Sequence, residues 1–579
     1  MRTVKNLLVY TRRYRLILAL SLLCAAVSVG FSLYIPVLVG EAIDYMVGKG
    51  AVDFAEIGRV IIIILILIAL IAVFQWLMNY CVNVVCARTV RDLRNDIFKK
   101  LNTLPLKDID SNAHGDMISR ITNDVEAIGD GLTQVITKLF SGIVTIAGTL
   151  LFMLSINVYI ALVVVVLTPM SVLVAAIIGK MCAKSFRNQQ QLQGEISSYV
   201  EEIVGNQKVV KAFSYEERSA EEFELQNKKL FKVGLKAQFA GALANPSTRF
   251  VNNMVYAATG IIGALSVLSA FMGQLTIGGL ACFLTYANQY TKPFNEVTGV
   301  LTQIQTALAA GDRVFDTLNA ESEPDERGKR HYDKAKGELE FREVCFSYTP
   351  DRELIKNFSL KVKSGEQVAI VGPTGCGKTT LINLIMRFYE VDSGEILLDS
   401  IPTSEINRDI LRQNFGMVLQ DSWLFSGTIM DNLRYGNPEA SDEEIIAAAK
   451  MSYAHSFIRK MPDGYNTKLS ENADNLSAGQ KQLLCIARAM VLDPPALILD
   501  EATSSIDTLT EIRVQKAFKK LMKGRTSFIV AHRLSTIKES DVILVMNDGN
   551  IVEQGTHEEL LKTVGFYTKL YNSQFEESD

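Results

Sequence analysis

The chain has 579 residues, enough for two or more domains. Its 59 basic residues nearly balance its 63 acidic ones, so bulk charge gives no reason to expect a nucleic-acid partner. Its 8 cysteines are scattered, with no pair at metal-site or C-x-x-C spacing, so neither a zinc site nor a disulfide framework organises the fold.

Charge is distributed unevenly along the chain. Leu16 to Gly40 and Val60 to Ala87 carry no charge, and neither do two longer runs, Leu139 to Gly179 and Phe250 to Thr291. The long runs are broken by polar turns at Ser155-Ile156-Asn157 and Gly273-Gln274. A bilayer-spanning helix needs about 20 apolar residues. The pattern therefore predicts six transmembrane helices, at about 16–43, 57–87, 136–155, 158–182, 249–273 and 277–300. The first is too long for a cleaved signal peptide and lacks a small-residue cleavage site. No charged residue is expected mid-span, so no counter-ion for a charged ligand stands out. Polar residues such as Gln75, Asn79, Asn83, Asn252, Asn253, Asn288 and Gln289 are suited either to line a pathway or to bond between helices.

Lysine and arginine set the orientation. Arg2, Lys5, Arg12, Arg13 and Arg15 precede the first span, and the segments after spans two and four are long and basic. The N-terminus, both long loops and the C-terminal half are thus expected in the cytoplasm of a multi-pass protein of the cell membrane. Segment 88–138 keeps an apolar period near 3.6 through Val90, Leu93, Ile97 and Leu101, with a break at Pro105. Segment 183–245 behaves likewise, so both should form helical hairpins reaching out of the bilayer, with tips near 110–116 and 213–217. The membrane domain is expected over 1–320. A polar linker over 321–336 follows, marked by Glu321-Ser322-Glu323-Pro324. From about Gly337 to 579, strands and helices alternate as in an α/β domain.

Within that domain Gly372-Pro373-Thr374-Gly375-Cys376-Gly377-Lys378-Thr379 fits G-x-x-x-x-G-K-[ST]. It follows the apolar run Gln367–Val371 and precedes Thr380-Leu381-Ile382, the strand–loop–helix context of a phosphate-binding loop. Its glycines tolerate positive φ, and its N–H groups and the helix N-terminus point at negative charge. Lys378 would reach the β- and γ-phosphates of ATP, and the Thr379 hydroxyl would hold Mg²⁺. Cys376 lies near Lys378 and a helix N-terminus. Both lower a thiol pKa, so it is either a reactive thiol or an inert small residue. A second apolar strand, Ala496–Leu499, ends in Asp500-Glu501. Asp500 suits Mg²⁺ binding through water, and Glu501 suits the general base for an attacking water.

Between these motifs lies Asn475-Leu476-Ser477-Ala478-Gly479-Gln480-Lys481-Gln482. It resembles the signature of ATP-binding cassette (ABC) transporters. Together with the spans, the whole chain resembles an ABC exporter half-transporter of the multidrug or lipid type. The resemblance implies a six-helix all-α membrane domain with long cytoplasmic extensions, followed by an α/β P-loop cassette. It implies that Tyr348 stacks on adenine, that Gln420 touches Mg²⁺ and water, and that Asp507 belongs to the D-loop. His532 would be the switch histidine facing the γ-phosphate. The loop residues Gly372 to Thr380 would cradle the phosphates. Ser477, Ala478, Gly479 and Gln480 would face the phosphate loop of a second cassette, so the chain should work as a dimer of half-transporters, homo- or heterodimeric. The tips at 110–116 and 213–217 resemble coupling segments.

Two features depart from the family pattern. Ala478 stands where glycine is commonest, and Leu469 to Asn475 lacks the usual glycines. Alanine disfavours φ > 0; the change is either tolerated variation at a position of ordinary helical φ, or, as the resemblance implies for a chain that keeps Glu501 with an altered signature, the mark of a heterodimer, and the altered 469–475 segment leans that way. The expected activity is ATP-driven export of a small hydrophobic or amphipathic substrate across the membrane. The alternatives are an importer of the same layout, or a nucleotide-gated regulator or channel. The intact Lys378, Asp500, Glu501 and His532 argue against a silent cassette.

Overall fold

The computed structural model describes the chain except residues 1, 48–51, 270–274, 325, 327–328, 331, 333, 350–352, 421, 471–472, 501–505, 531–533 and 576–579. It divides into two compact units, 1–103 with 112–320, and 104–111 with 321–579.

The first unit is helical throughout. After a short helix, Arg2–Arg12, it contains Arg15–Asp44, Phe54–Leu101, a helical stretch over 114–156, Val158–Gly205, Glu216–Ser269 and Ile277–Asn319. Three of them start on side-chain caps. Asp53 accepts from the N–H of Ala55 and Glu56, Asn157 from Tyr159 and Ile160, and Thr276 from Gly279, which satisfies backbone donors the first turn leaves unpaired.

Phe54–Leu101 has 48 residues, about 72 Å of helix against a hydrocarbon core of about 30 Å, so it must run well beyond any bilayer. Its first half exposes Ile61, Ile62, Leu65, Ile66 and Ile68. An apolar surface that large is stable only against lipid or another protein. Arg15–Asp44, Phe54–Leu101, 114–156 and 216–268 are long and apolar enough to cross a membrane; the helix from Val158 is apolar through Met170. The stretch 277–300 differs from expectation, because Lys292 and Glu296 lie inside it, as Lys138 lies inside 136–155. The turn between the helices of the second hairpin falls at Phe213–Tyr215, where Ser214 takes a positive φ.

The second unit holds twelve strands among the described residues: β1 (Leu339–Phe346), β2 (Ile355–Val362), β3 (Gln367–Val371), β4 (Ser393–Leu398), β5 (Ile401–Pro402), β6 (Phe415–Val418), β7 (Gly427–Thr428), β8 (Lys468–Leu469), β9 (Ala496–Asp500), β10 (Thr526–Val530), β11 (Val542–Asn547) and β12 (Asn550–Gly555). The main sheet has the order β12-β11-β3-β10-β9-β6, parallel except for the β12 edge. A second sheet, β2-β1-β4-β5, is antiparallel. The parallel strands are nearly all apolar because hydrophobic clusters cover both faces.

The stretch expected as a linker packs onto this unit. Glu326 is buried, with 4% of its side chain exposed. It accepts from Arg387 Nη2 at 2.9 Å, from Arg408 Nη1 at 2.8 Å and Arg408 N at 2.9 Å, and from Lys329 Nζ at 2.8 Å. Further on, the Tyr332 hydroxyl donates to Asp399 at 2.7 Å and Ala335 N donates to Asn414 at 2.8 Å. Burial pulls the Glu326 pKa up, but Lys329, the Arg408 N–H and the two guanidiniums outweigh it and hold the carboxyl below its ordinary value. A carboxyl with a depressed pKa stabilises the fold above its ordinary titration range and loses that contribution as pH falls through the depressed value. Glu326→Ala should therefore cost about 3–5 kcal/mol by stranding two buried guanidiniums. Thermal unfolding of the full chain should show a lower melting temperature at neutral pH, with the gap to wild type closing as acid protonates Glu326. An unchanged melting temperature would show that the cluster does not hold the segment.

Candidate functional site

The register of the parallel sheet decides which residues can meet. Ile370 of β3 lies opposite Val530 of β10, Val530 opposite Asp500 of β9, and Leu499 opposite Val418 of β6. Four strands thus end level with one another. The phosphate loop leaves β3 at this edge, Asp500 closes β9 there, and Gln420 stands two residues beyond β6, exposed. Carboxyl ends of parallel strands are where open α/β sheets bind ligands. Glu501 and His532 follow the same strand ends in sequence but lie outside the described residues.

The loop itself needs glycine at its end. Gly375 and Gly377 have φ of 82° and 105°, and Gly377 caps the helix Lys378–Ile385 in that left-handed conformation. Lys378 folds back over the loop, donating to Gly372 O at 2.8 Å and Pro373 O at 2.9 Å. Thr374 and Thr379 are exposed and Thr380 is buried, so only Thr379 of the last two offers its hydroxyl outward. Cys376 also turns inward. It is 3% exposed, packs in the cluster that holds Leu381 and Ile382, and its carbonyl accepts from Gly549 N at 3.1 Å. The thiol is buried under the loop, where Lys378 Nζ lies 3.8 Å from its sulfur.

Tyr348 follows β1 and is 39% exposed. Its ring meets Phe346 and Tyr389 edge-on, both at 4.9 Å between centroids, and its hydroxyl accepts from Asn383 at 3.1 Å. Tyr389 was not evident from the sequence. Its hydroxyl donates to Asp110 at 2.7 Å, because Leu104–Ser111, carrying the short helix Leu106–Asp110, belongs to the second unit. Burial and the Asp110 carboxylate push the Tyr389 pKa up, so it stays protonated as a donor. The signal available in the sequence was the break at Pro105 followed by a polar turn.

Ser477 is the N-cap of the helix Ala478–Leu492. Its hydroxyl accepts from Gln480 N at 3.3 Å while Gln480 Oε1 accepts from Ser477 N at 3.0 Å. This reciprocal cap was readable from S-x-x-Q, and it ties the Gln480 side chain to its own helix. Ala478 is helical with an ordinary negative φ, so the methyl strains nothing in the backbone. Gly479 is the position that cannot change, since a Cβ there would come within 2.3 Å of Thr510 Cγ2. Just upstream, Ala473 holds φ at 51°, a conformation glycine adopts without cost. Asp507 caps the helix Thr508–Met522 by accepting from Thr510 N at 2.9 Å, and that bond lowers its pKa. Among the described residues no hydrogen bond joins the Ser477 segment to the phosphate loop of the same chain.

Comparison with known proteins agrees with this layout. Residues 18–294 match the model of the ABC transporter transmembrane region, and 355–504 match that of the ABC transporter. An ABC transporter ATP-binding protein of Bacillus subtilis (strain 168) is 38% identical, the alignment covering 99% of this chain and 94% of that protein. A fatty acid ABC transporter ATP-binding/permease protein of Mycobacterium bovis is 39% identical over 90% of this chain and 82% of its own length. An ATP-dependent lipid A-core flippase of Dechloromonas aromatica is 37% identical over 87% and 86%. The solved structure of a bacterial Atm1-family ABC exporter with ATP bound superposes with a TM-score of 0.78 at 28% identity, covering 98% and 99% of the two chains.

The buried thiol makes a direct prediction. Under native conditions maleimide should modify Cys376 at least roughly tenfold more slowly than after unfolding, because thiolate attack needs access. Peptide mass mapping of native and denatured protein reads this. Equal rates would show that the loop opens and exposes the thiol.

Proposed function

The chain belongs to the ABC transporter family, an exporter-type membrane region fused to one ATP-hydrolysing cassette, and on that premise we propose that two such halves export a hydrophobic or amphipathic molecule across the cell membrane by alternating access. The observation that carries this is the level edge of the parallel sheet, which gathers the phosphate loop, Asp500 and Gln420 in a chain whose other unit exposes long apolar helices. The fatty acid transporter and lipid A-core flippase among the relatives support an amphipathic substrate.

In this reading Tyr348 stacks on adenine, and the N–H groups from Gly372 to Thr380 with Lys378 hold the phosphates of ATP. Thr379, Asp500 and Gln420 present oxygen donors, the ligand type Mg²⁺ takes; bound there it would neutralise phosphate charge. Glu501 takes the proton of the attacking water and His532 donates to the γ-phosphate. Ser477, Ala478 and Gly479 sit at a helix N-terminus with donors for a phosphate and complete the site of the other half, with Asp507 beside them. The Leu104–Ser111 segment and the turn at Phe213–Tyr215 pass cassette closure to the membrane helices as a rigid-body motion. The ordinary backbone at Ala478 supports two copies of this chain as the working pair.

Glu501→Gln keeps shape but cannot take a proton, so ATP should still bind while turnover falls at least roughly a hundredfold. Near-normal hydrolysis would remove Glu501 from its role. Wild-type chain purified alone should hydrolyse ATP, and activity seen only after co-expression with a different half-transporter would replace the homodimer with a heterodimer. ATP-dependent accumulation in inside-out vesicles tests export; uptake in the opposite direction would make the chain an importer.

A further inference from the structure

A cavity of about 400 Å³ opens within the membrane unit, between the helices Arg15–Asp44, Phe54–Leu101, 114–156 and Ile277–Asn319. That is within the size range of small-molecule sites. Ala25, Leu33, Ile71, Met78 and Ile146 form apolar wall, while Lys138, Gln289, Lys292 and Glu296 lie among the same lining residues. Charged side chains are costly in a membrane helix and mark substrate pathways when they face a cavity.

The charges do not cancel. Lys138 pairs with Glu296 at 3.7 Å. Among the described residues Lys292 has no carboxylate within ion-pair distance, so the polar side carries one positive charge in excess. Two backbone features place these groups. Lys138 sits in the π-helical turn Val135–Phe140, a local underwinding of a kind that recurs at functional sites. Pro293 interrupts the helix directly after Lys292; it has no N–H, so the Gln289 carbonyl one turn back loses its helical donor. The Gln289 side-chain oxygen is also buried without a hydrogen-bond partner. Ammonium, freed carbonyl and open amide thus cluster on one side of an otherwise apolar chamber, close to the cytoplasmic ends of the spans expected at 136–155 and 277–300.

We infer that this cavity binds an amphiphilic anion, with its head group on Lys292 and its hydrocarbon tail against the apolar wall. Gln289 orients the head group, and the Lys138–Glu296 pair closes the polar side without offering a second free cation. A neutral amphiphile would leave Lys292 unpaired, and a cationic one would be repelled. This assignment rests on the export reading and names its substrate class.

Photolabelling of the full-length chain in lipid nanodiscs tests it. The probes are a diazirine-bearing hexadecanoic acid, its alcohol and its trimethylammonium counterpart, used without ATP, with labelled peptides mapped by mass spectrometry. The acid should label the lining segments of 135–146 and 289–300 in preference to the other two. Lys292→Met should weaken saturable labelling by the acid roughly tenfold, the effect of losing a charge-assisted hydrogen bond, and leave the alcohol's labelling unchanged. Lys292→Arg should retain it, which separates lost charge from a damaged fold. A diazirine phosphatidic acid distinguishes the sources: labelling by it assigns a membrane lipid, and labelling by the free acid alone assigns a single-chain amphiphile. Equal labelling by acid, alcohol and ammonium probes, or no loss in Lys292→Met, would overturn the inference. ATP hydrolysis by the unmodified chain is measured separately. Hydrolysis without acid labelling would sink the site and leave the transporter, whereas labelling without hydrolysis would do the reverse.

Discussion

A strand buried on both faces can hold its end rigidly, and the cassette depends on that constraint at β3. It lies between β11 and β10 in the parallel sheet, and four of its five residues are buried. The loop that follows has few side chains with which to anchor itself. Its shape comes from the fixed strand on one side, the helix Lys378–Ile385 on the other, and two glycines in left-handed conformation between them. The inward packing of Cys376 and Thr380 adds two anchors from within the motif. The outward groups that remain are main-chain donors, Lys378 and two threonine hydroxyls, a set suited to phosphate and metal and to little else. The level ends of β6, β9 and β10 put Asp500 and the segment carrying Gln420 at the same edge of the sheet as the loop.

The proposed division of the site between two chains is compatible with the same geometry. The signature helix packs in the cluster with Leu483 and Leu484, while the phosphate-loop helix packs in the other, with Leu381 and Ile382. In the proposed reading the signature's backbone donors meet a phosphate held by the other half. Ser477 and Gln480 hold that helix start in shape by capping each other, so the anion site is preformed. Gly479 fits against Thr510 and Ile506 with no room for a side chain. Its conformational freedom is not used there; its small size is.

Much of this was legible because it rests on local rules. Apolar runs without charge give membrane helices, apolar runs with Gly-rich ends give the strands and the phosphate loop, and the order of motifs gives the family. What was illegible depends on partners distant in sequence. Glu326 reads as part of a polar linker because its neighbours Glu323, Asp325 and Arg327 are charged and Pro324 breaks regular structure, yet Arg387 and Arg408 bury it. Cys376 lies beside Lys378 as its position suggests, yet its side chain is buried. Tyr389 has no pattern of its own until Leu104–Ser111 joins its unit and Asp110 meets its hydroxyl. Ala478 does not state its φ as a letter; the helix supplies that much, an ordinary negative φ.

Two sets of buried or sheltered charge in the molecule show how structure and function can be told apart. Around Glu326 each carboxylate oxygen is paired, and the partners come from three separate segments. Such a cluster resists change: removing one member strands the others in low dielectric. Around Lys292 the count is incomplete. The one carboxylate pairs with Lys138 and not with Lys292, a proline removes a backbone donor, and an amide oxygen stays unpaired. Lys292 is exposed, so its charge is available to a ligand, and the Gln289 oxygen beside it has no bond of its own. The bonds around Glu326 hold the cassette to the segment that leads into it, and the unmatched groups around Lys292 suit the membrane unit to a negatively charged, largely apolar guest.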